Sequence, residues 1–155
     1  MTTKADFNAE EWSTLAEAPF LAGMQVVAAE RGGTIRESLA FGRTYAEARK
    51  HHGESPLLDE LVASPPAIDP AGLKSRGGDI KAIATKSLGD AVSLLDAKAT
   101  PEEAQAYKQF VISVAEAVAN ANREGGFAGI GSKPVSESEQ AAIDEITATL
   151  GLHAA

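Results

Sequence analysis

Residues 100–150 carry two helix signatures on either side of a glycine-rich segment, and this pairing constrains the fold more than anything else in the chain. Thr100-Pro101-Glu102-Glu103 opens the first helix. The threonine hydroxyl accepts from a free backbone N–H, proline suits the first helical position, and Glu103 can reach back to close a capping box. Tyr107, Phe110, Val111, Val114, Val118 and Ala121 then recur at three- and four-residue steps, the spacing of one helical face. Past the segment Glu124-Gly-Gly-Phe-Ala-Gly-Ile-Gly-Ser-Lys-Pro-Val135, the run Ser136-Glu-Ser-Glu139 repeats the capping-box grammar. Ala142, Ile143, Ile146 and Leu150 continue an apolar stripe until Gly151 stops it.

The rest of the chain reads in the same way. Asn8-Ala-Glu-Glu11 predicts a helix from Ala9 with Trp12 and Leu15 on its inner face. Ala18-Pro19 predicts a break, because the residue before proline is pushed out of the α region. Pro19 then opens a second helix through Phe20, Leu21, Met24, Val27 and Ala28 to about Arg31, ended by Gly32-Gly33. Thr34-Ile-Arg-Glu37 begins another, carrying Leu39, Ala40, Tyr45, Ala46 and Ala48 to about His52. Ser55-Pro56 starts a short helix with Leu57, Leu58, Leu61 and Val62, and Ser64-Pro-Pro-Ala-Ile-Asp-Pro70 breaks the chain. Gly77-Gly78-Asp79 precedes a long helix through Ile80, Ile83, Leu88, Ala91, Val92 and Leu95, ending near Lys98. No segment alternates with a period of two. The expectation is an all-α bundle of six or seven helices.

Two helix–Gly-Gly–hydroxyl–glutamate passages, one through Gly32-Gly33 to Glu37 and one through Gly125-Gly126 to Glu139, allow two readings. They are either a duplicated helical hairpin or the common grammar of helix ends.

At 155 residues, one domain over 1–155 is expected, burying roughly two thirds of its unfolded surface. Hydrophobic residues make up 44% but aromatics only 5%, so the interior is built from Ala, Leu, Ile and Val. No run approaches the roughly 18 apolar residues of a membrane span. The opening Met-Thr-Thr-Lys-Ala-Asp-Phe-Asn offers no apolar core for a signal peptide, and there is no cysteine for disulfides or thiolate metal sites. A cytoplasmic setting is the expectation. A net charge of −8 repels phosphate backbones and anionic lipid, which argues against nucleic-acid and membrane-surface roles.

The motif Val118-Ala-Asn-Ala-Asn-Arg-Glu-Gly-Gly126, followed by Ser136-Glu-Ser-Glu-Gln-Ala-Ala-Ile-Asp-Glu-Ile146 and Leu150-Gly151, resembles the last hairpin of the tellurite-resistance TerB-like family. Over nearly its whole length the chain is also similar to a related group of small uncharacterised bacterial helical proteins. Trp12-Ser-Thr-Leu-Ala-Glu-Ala-Pro19 and the Glu124-Gly-Gly-Phe127 loop carry that likeness. The resemblance implies an all-α single domain of paired helical hairpins. In TerB-like proteins an Asp-Gly and a following capping acid in each hairpin loop are thought to gather a divalent cation. Here Arg31 stands in place of the first aspartate, leaving Glu37, whereas the second loop keeps Glu124 and Glu139. The resemblance therefore implies one intact half-site at most, suited to calcium or magnesium.

Other motifs yield less. Gly126-Phe-Ala-Gly-Ile-Gly131-Ser-Lys133 nearly matches a phosphate-binding loop, but the order is Gly-Ser-Lys rather than Gly-Lys-Ser, Pro134 removes an amide donor, and a helix precedes it instead of a strand. Phe127 and Ile130 read instead as hydrophobic pins of a flexible loop. Glu30, Glu37, Glu124, Glu137 and Glu139 could supply hard oxygen ligands. Glu37 and Glu139 are already accounted for as capping-box partners near helix N-termini, which is the favoured reading of the residues themselves. His51 and His52 are adjacent, point about 100° apart on a helix and lack His-Glu-x-x-His spacing, and His153 lies near the end of the chain. Lys74, Arg76 and Lys133 form no basic stripe, and no nucleophile has a recognisable base nearby. Trp12 and Phe7 read as core or staple residues.

Two functions are expected from this pattern. The first is a non-enzymatic helical module that binds a protein partner or itself through the loop bearing Phe127 and Ile130. The second is a divalent-cation-binding stress-response module using Glu37, Glu124 and Glu139.

Overall fold

The computed structural model describes residues 3–29, 45–46, 50, 56–63, 80–124 and 137–151, with backbone only at 27–29, 120–124 and 137–139. Asn8 starts the first helix, α1 (Ala9–Ala29), as its capping signal predicts. The Glu11 amide donates to Asn8 Oδ1 at 2.8 Å, and the Asn8 amide donates to Glu11 Oε1 at 2.9 Å. Phe7, just before the cap, packs on Trp12 with ring centroids 6.1 Å apart. This is the hydrophobic staple that fixes how the chain enters a helix.

The sequence-based expectation of a break at Pro19 is corrected here: α1 runs unbroken from Ala9 to Ala29 with Pro19 inside it and buried. Proline has no N–H to offer the carbonyl four residues earlier, which belongs to Leu15. That carbonyl accepts the Tyr107 hydroxyl instead, at 2.6 Å. A side chain from a distant helix thus supplies the missing donor, and burial of Leu15, Ala18, Leu21 and Ala22 holds the helix together across the gap.

Among the described residues four further helices with both ends placed follow, α2 (Pro56–Ala63), α3 (Ile80–Lys98), α4 (Pro101–Glu124) and α5 (Glu137–Thr149). Pro56 and Pro101 each occupy the first helical position, as read from the sequence. The Glu103 amide donates to Thr100 Oγ1 at 3.2 Å. At the end of α5 the Gly151 amide donates to the Ala148 carbonyl at 3.0 Å, and Gly151 sits at φ 74°, the left-handed stop that glycine makes without strain. No strand occurs among the described residues. Tyr45, Ala46 and Lys50 are helical, within the helix expected over 34–52. The remainder of that helix, the Gly32-Gly33 and Gly125-Gly126 turns and the breaker at 64–70 lie outside the described residues.

Helix α1 is the central element, packed most extensively on α3 and then on α4 and α5. It runs antiparallel to α3: Glu11 near its start meets Lys98 at the end of α3, while Leu21 packs with Ala84 and Ile80 near the beginning. The core joins the inner stripes expected from the sequence: Leu15 and Val26 of α1, Leu57 and Leu61 of α2, Leu88 and Leu95 of α3, Tyr107, Val111, Val114 and Val118 of α4, and Ile146 with the adjoining Leu150 at α5. Each large apolar side chain fully removed from water contributes about 1.5–3 kcal/mol. Tyr45 stacks edge-on against Phe110 with centroids 5.3 Å apart, tying its helical segment to α4.

Candidate functional site

Helices α4 and α5 pack together and are separated in sequence by residues 125–136, which lie outside the described residues. Val118 and Ala119 on α4, and Ala142 and Ile143 on α5, are buried, so both helices are anchored in the core close to that segment. Glu124 is the last residue of α4, and Glu139 is the third residue of α5. These two acids thus lie at the end of α4 and in the first turn of α5, described there by backbone. Glu37, Phe127 and Ile130 lie outside the described residues, as do His51, His52, His153, Lys74, Arg76 and Lys133. Among the described residues no group of three or more His, Asp or Glu side chains is arranged to hold a metal ion.

A different constellation, not read from the sequence, gathers where residues 3–8 meet α1, α2 and α3. Lys4, Ala5, Phe7, Asn8, Ala9, Trp12 and Glu60 line a shallow depression of about 630 Å³. The Lys4 amide donates to the Glu60 carboxylate on α2, and the Lys4 ammonium lies 5.7 Å from the centre of the Trp12 ring. Lys98, at the end of α3, donates to the Asp6 carbonyl at 3.1 Å and to Glu11 Oε1 at 2.8 Å, and stands 5.5 Å from the Phe7 ring centre. The Asn8 amide, and then Lys98, hold the Glu11 carboxyl below its ordinary value of 4.5. Sequence reading finds Phe7, Asn8, Glu11 and Trp12 because they are neighbours along the chain. A basic residue at a helix C-terminus, favoured by the helix dipole, is the only local signal for Lys98.

Elsewhere the polar groups tie helices together. The buried Gln25 of α1 donates to Glu145 Oε2 of α5 at 3.1 Å, and Lys81 of α3 pairs with Glu145 Oε1 at 3.0 Å. A shallow groove of about 410 Å³ between α1 and α3 is lined by Thr14, Glu17, Ile83, Lys86, Ser87 and Asp90. No helix among the described residues is long and apolar enough to cross a membrane.

Compared with known family models, curated proteins and solved structures, the chain matches none.

Proposed function

We propose that this chain is a non-enzymatic helical module that binds a protein partner or a second copy of itself through the segment between α4 and α5. The observation that carries the reading is the contrast at that hairpin. Both helices are rooted in the core through Val118, Ala119, Ala142 and Ile143, yet the 12 residues from 125 to 136 exceed the two to eight common between bundle helices. Connections of that length are disproportionately used for binding. This one carries Phe127 and Ile130 among glycines, two large apolar groups with few neighbours along the chain to cover them. A TerB-like arrangement of paired hairpins and a cytoplasmic setting belong to the same reading. The fold supports the first through the anchored α4–α5 pair, and the cysteine-free composition supports the second.

Sedimentation across a range of protein concentrations tests the proposal. Self-association that disappears in Phe127→Ser or Ile130→Ser is the expected result for a homo-oligomer. Identical association in both variants would remove the loop from the interface.

A second reading, a divalent-cation-binding stress-response module, draws on Glu124 at the end of α4 and Glu139 in the first turn of α5, with Glu37 as a third ligand. Calcium or magnesium at a hundredfold its dissociation constant would add about 2.7 kcal/mol of stability. That gain would vanish in Glu124→Gln. An EDTA-stripped protein whose melting midpoint ignores both cations would end this reading and leave the first standing.

A further inference from the structure

We propose that residues 3–8 form a strap that pivots on the Asn8 cap and undocks from the bundle, held down by the Phe7 ring and by a clasp made of Lys98 and Glu60, and that its release uncovers Trp12. The strap is a short 3-10 turn, Lys4–Asp6, flanked by Thr3 and Phe7. Lys4, Ala5 and Asp6 are exposed, and Phe7 is the one strap residue whose side chain is buried. The internal bonds of the turn are local: the Asp6 amide donates to the Thr3 carbonyl at 3.0 Å, the Phe7 amide to the Lys4 carbonyl at 3.1 Å, and the Thr3 amide to Asp6 Oδ2 at 2.8 Å. These can persist while the strap moves, so it can lift without first unravelling.

What holds it to the bundle is the buried Phe7 ring on Trp12, the Asn8 cap on α1, and two polar attachments set on other helices. From α3, Lys98 grips the Asp6 carbonyl and covers the face of Phe7 while also bonding Glu11 of α1. From α2, the Glu60 carboxylate takes the Lys4 amide. Both attachments are charge-assisted and reach solvent, and so weaken in salt. By contrast α1, beneath the strap, is fixed by fully buried Leu15, Ala18, Leu21 and Ala22. Segments with few buried apolar contacts open at far lower free energy than the core does. Phe7 and Lys4 both cover Trp12, the only tryptophan in the chain, and both leave it with the strap. The device is thus a gate over one aromatic face, seated by Phe7 and tuned by ionic contacts.

Hydrogen exchange of the full-length protein, read separately for residues 3–8 and for the interior of α1, tests the inference alongside quenching of Trp12 fluorescence. The amides of 3–8 should exchange well ahead of the α1 interior. In Lys98→Met they should accelerate about fivefold, the effect of removing one partly exposed charged contact, while the α1 interior is unchanged and Trp12 becomes easier to quench. High salt should accelerate the same amides in the wild type and do so less in Lys98→Met, where only the Glu60 attachment remains. Glu60→Ala provides an independent arm, since it removes the α2 attachment without touching Lys98. The proposal is overturned if the strap exchanges together with the α1 interior, if neither variant changes it, or if both variants loosen the strap and the α1 interior equally.

Discussion

The Tyr107 hydroxyl of α4 donates at 2.6 Å to the Leu15 carbonyl of α1, the backbone acceptor that Pro19, four residues on, cannot serve. Tyr107 and Leu15 are both fully buried, so without that hydroxyl no water replaces the donor. Tyr107→Phe should cost about 1–3 kcal/mol, the penalty of leaving a buried acceptor unsatisfied. If the hydroxyl substitutes for a missing helical N–H, restoring that N–H must shrink the penalty. Denaturant titrations of the wild type, Tyr107→Phe, Pro19→Ala and the double variant complete the cycle. A Tyr107→Phe cost as large in the Pro19→Ala background as in the wild type would show the two residues to be independent.

Burial also keeps both tyrosines of the chain protonated. It pushes the Tyr45 phenol up to about 12 and, together with the nearby Tyr45 hydroxyl, pushes Tyr107 well above its ordinary 10. A raised folded pKa gives a contribution to stability that is complete below the unfolded value and is lost as pH climbs through the folded one. Stability should therefore be level up to about pH 10 and fall from there toward about 12. The phenolate absorbance should rise together with the loss of helical circular dichroism. A phenolate titration centred at the ordinary value in protein that is still helical would contradict the burial.

Those same residues explain what was legible beforehand. The box at Asn8, the hydroxyl cap at Thr100, the prolines at 56 and 101 and the stop at Gly151 are short-range devices whose partners lie within a few residues, and each appears where the sequence places it. Pro19 misleads because its effect is settled by Tyr107, whose partner Leu15 is 92 residues away in the chain. Local steric rules predict a break there, and tertiary packing reverses it. Lys98 is similar: nothing in its neighbourhood points to Asp6 or Phe7. Of the candidate site, Glu124 and Glu139 are described only by the backbone of α4 and α5, whereas Glu37, Phe127 and Ile130 lie outside the described residues.

Two glycines should respond oppositely to alanine. A β-carbon at Gly89, inside α3, would meet nothing within 4 Å beyond its own helix backbone, so Gly89→Ala gains helix propensity without a clash. It should stabilise by about 0.5–1 kcal/mol and raise the melting midpoint by a few degrees. Gly151 also has open space but sits at φ 74°, where a β-carbon crowds its own carbonyl, so Gly151→Ala should destabilise by about 1 kcal/mol. Calorimetry of the two single variants gives the signs directly. A stabilising Gly151→Ala would mean that the helix stop is not using the left-handed conformation.

Glu11 should make the protein acid-sensitive in a particular way. Its carboxylate accepts from the Asn8 amide and from Lys98, and both hold its folded pKa below the ordinary 4.5. A depressed folded value gives a contribution that is complete above the unfolded pKa and is lost as pH falls through the folded one. Glu11→Gln keeps an oxygen for the Asn8 amide but removes the charge that Lys98 binds. The wild type should therefore be the more stable of the two at neutral pH, and its advantage should shrink once pH drops below 4.5 and disappear in stronger acid. Parallel melts of both proteins from neutral pH down to about 3 read the difference. A gap that stays constant over the whole range would mean that Glu11 contributes through packing and its cap, and that its charge adds nothing.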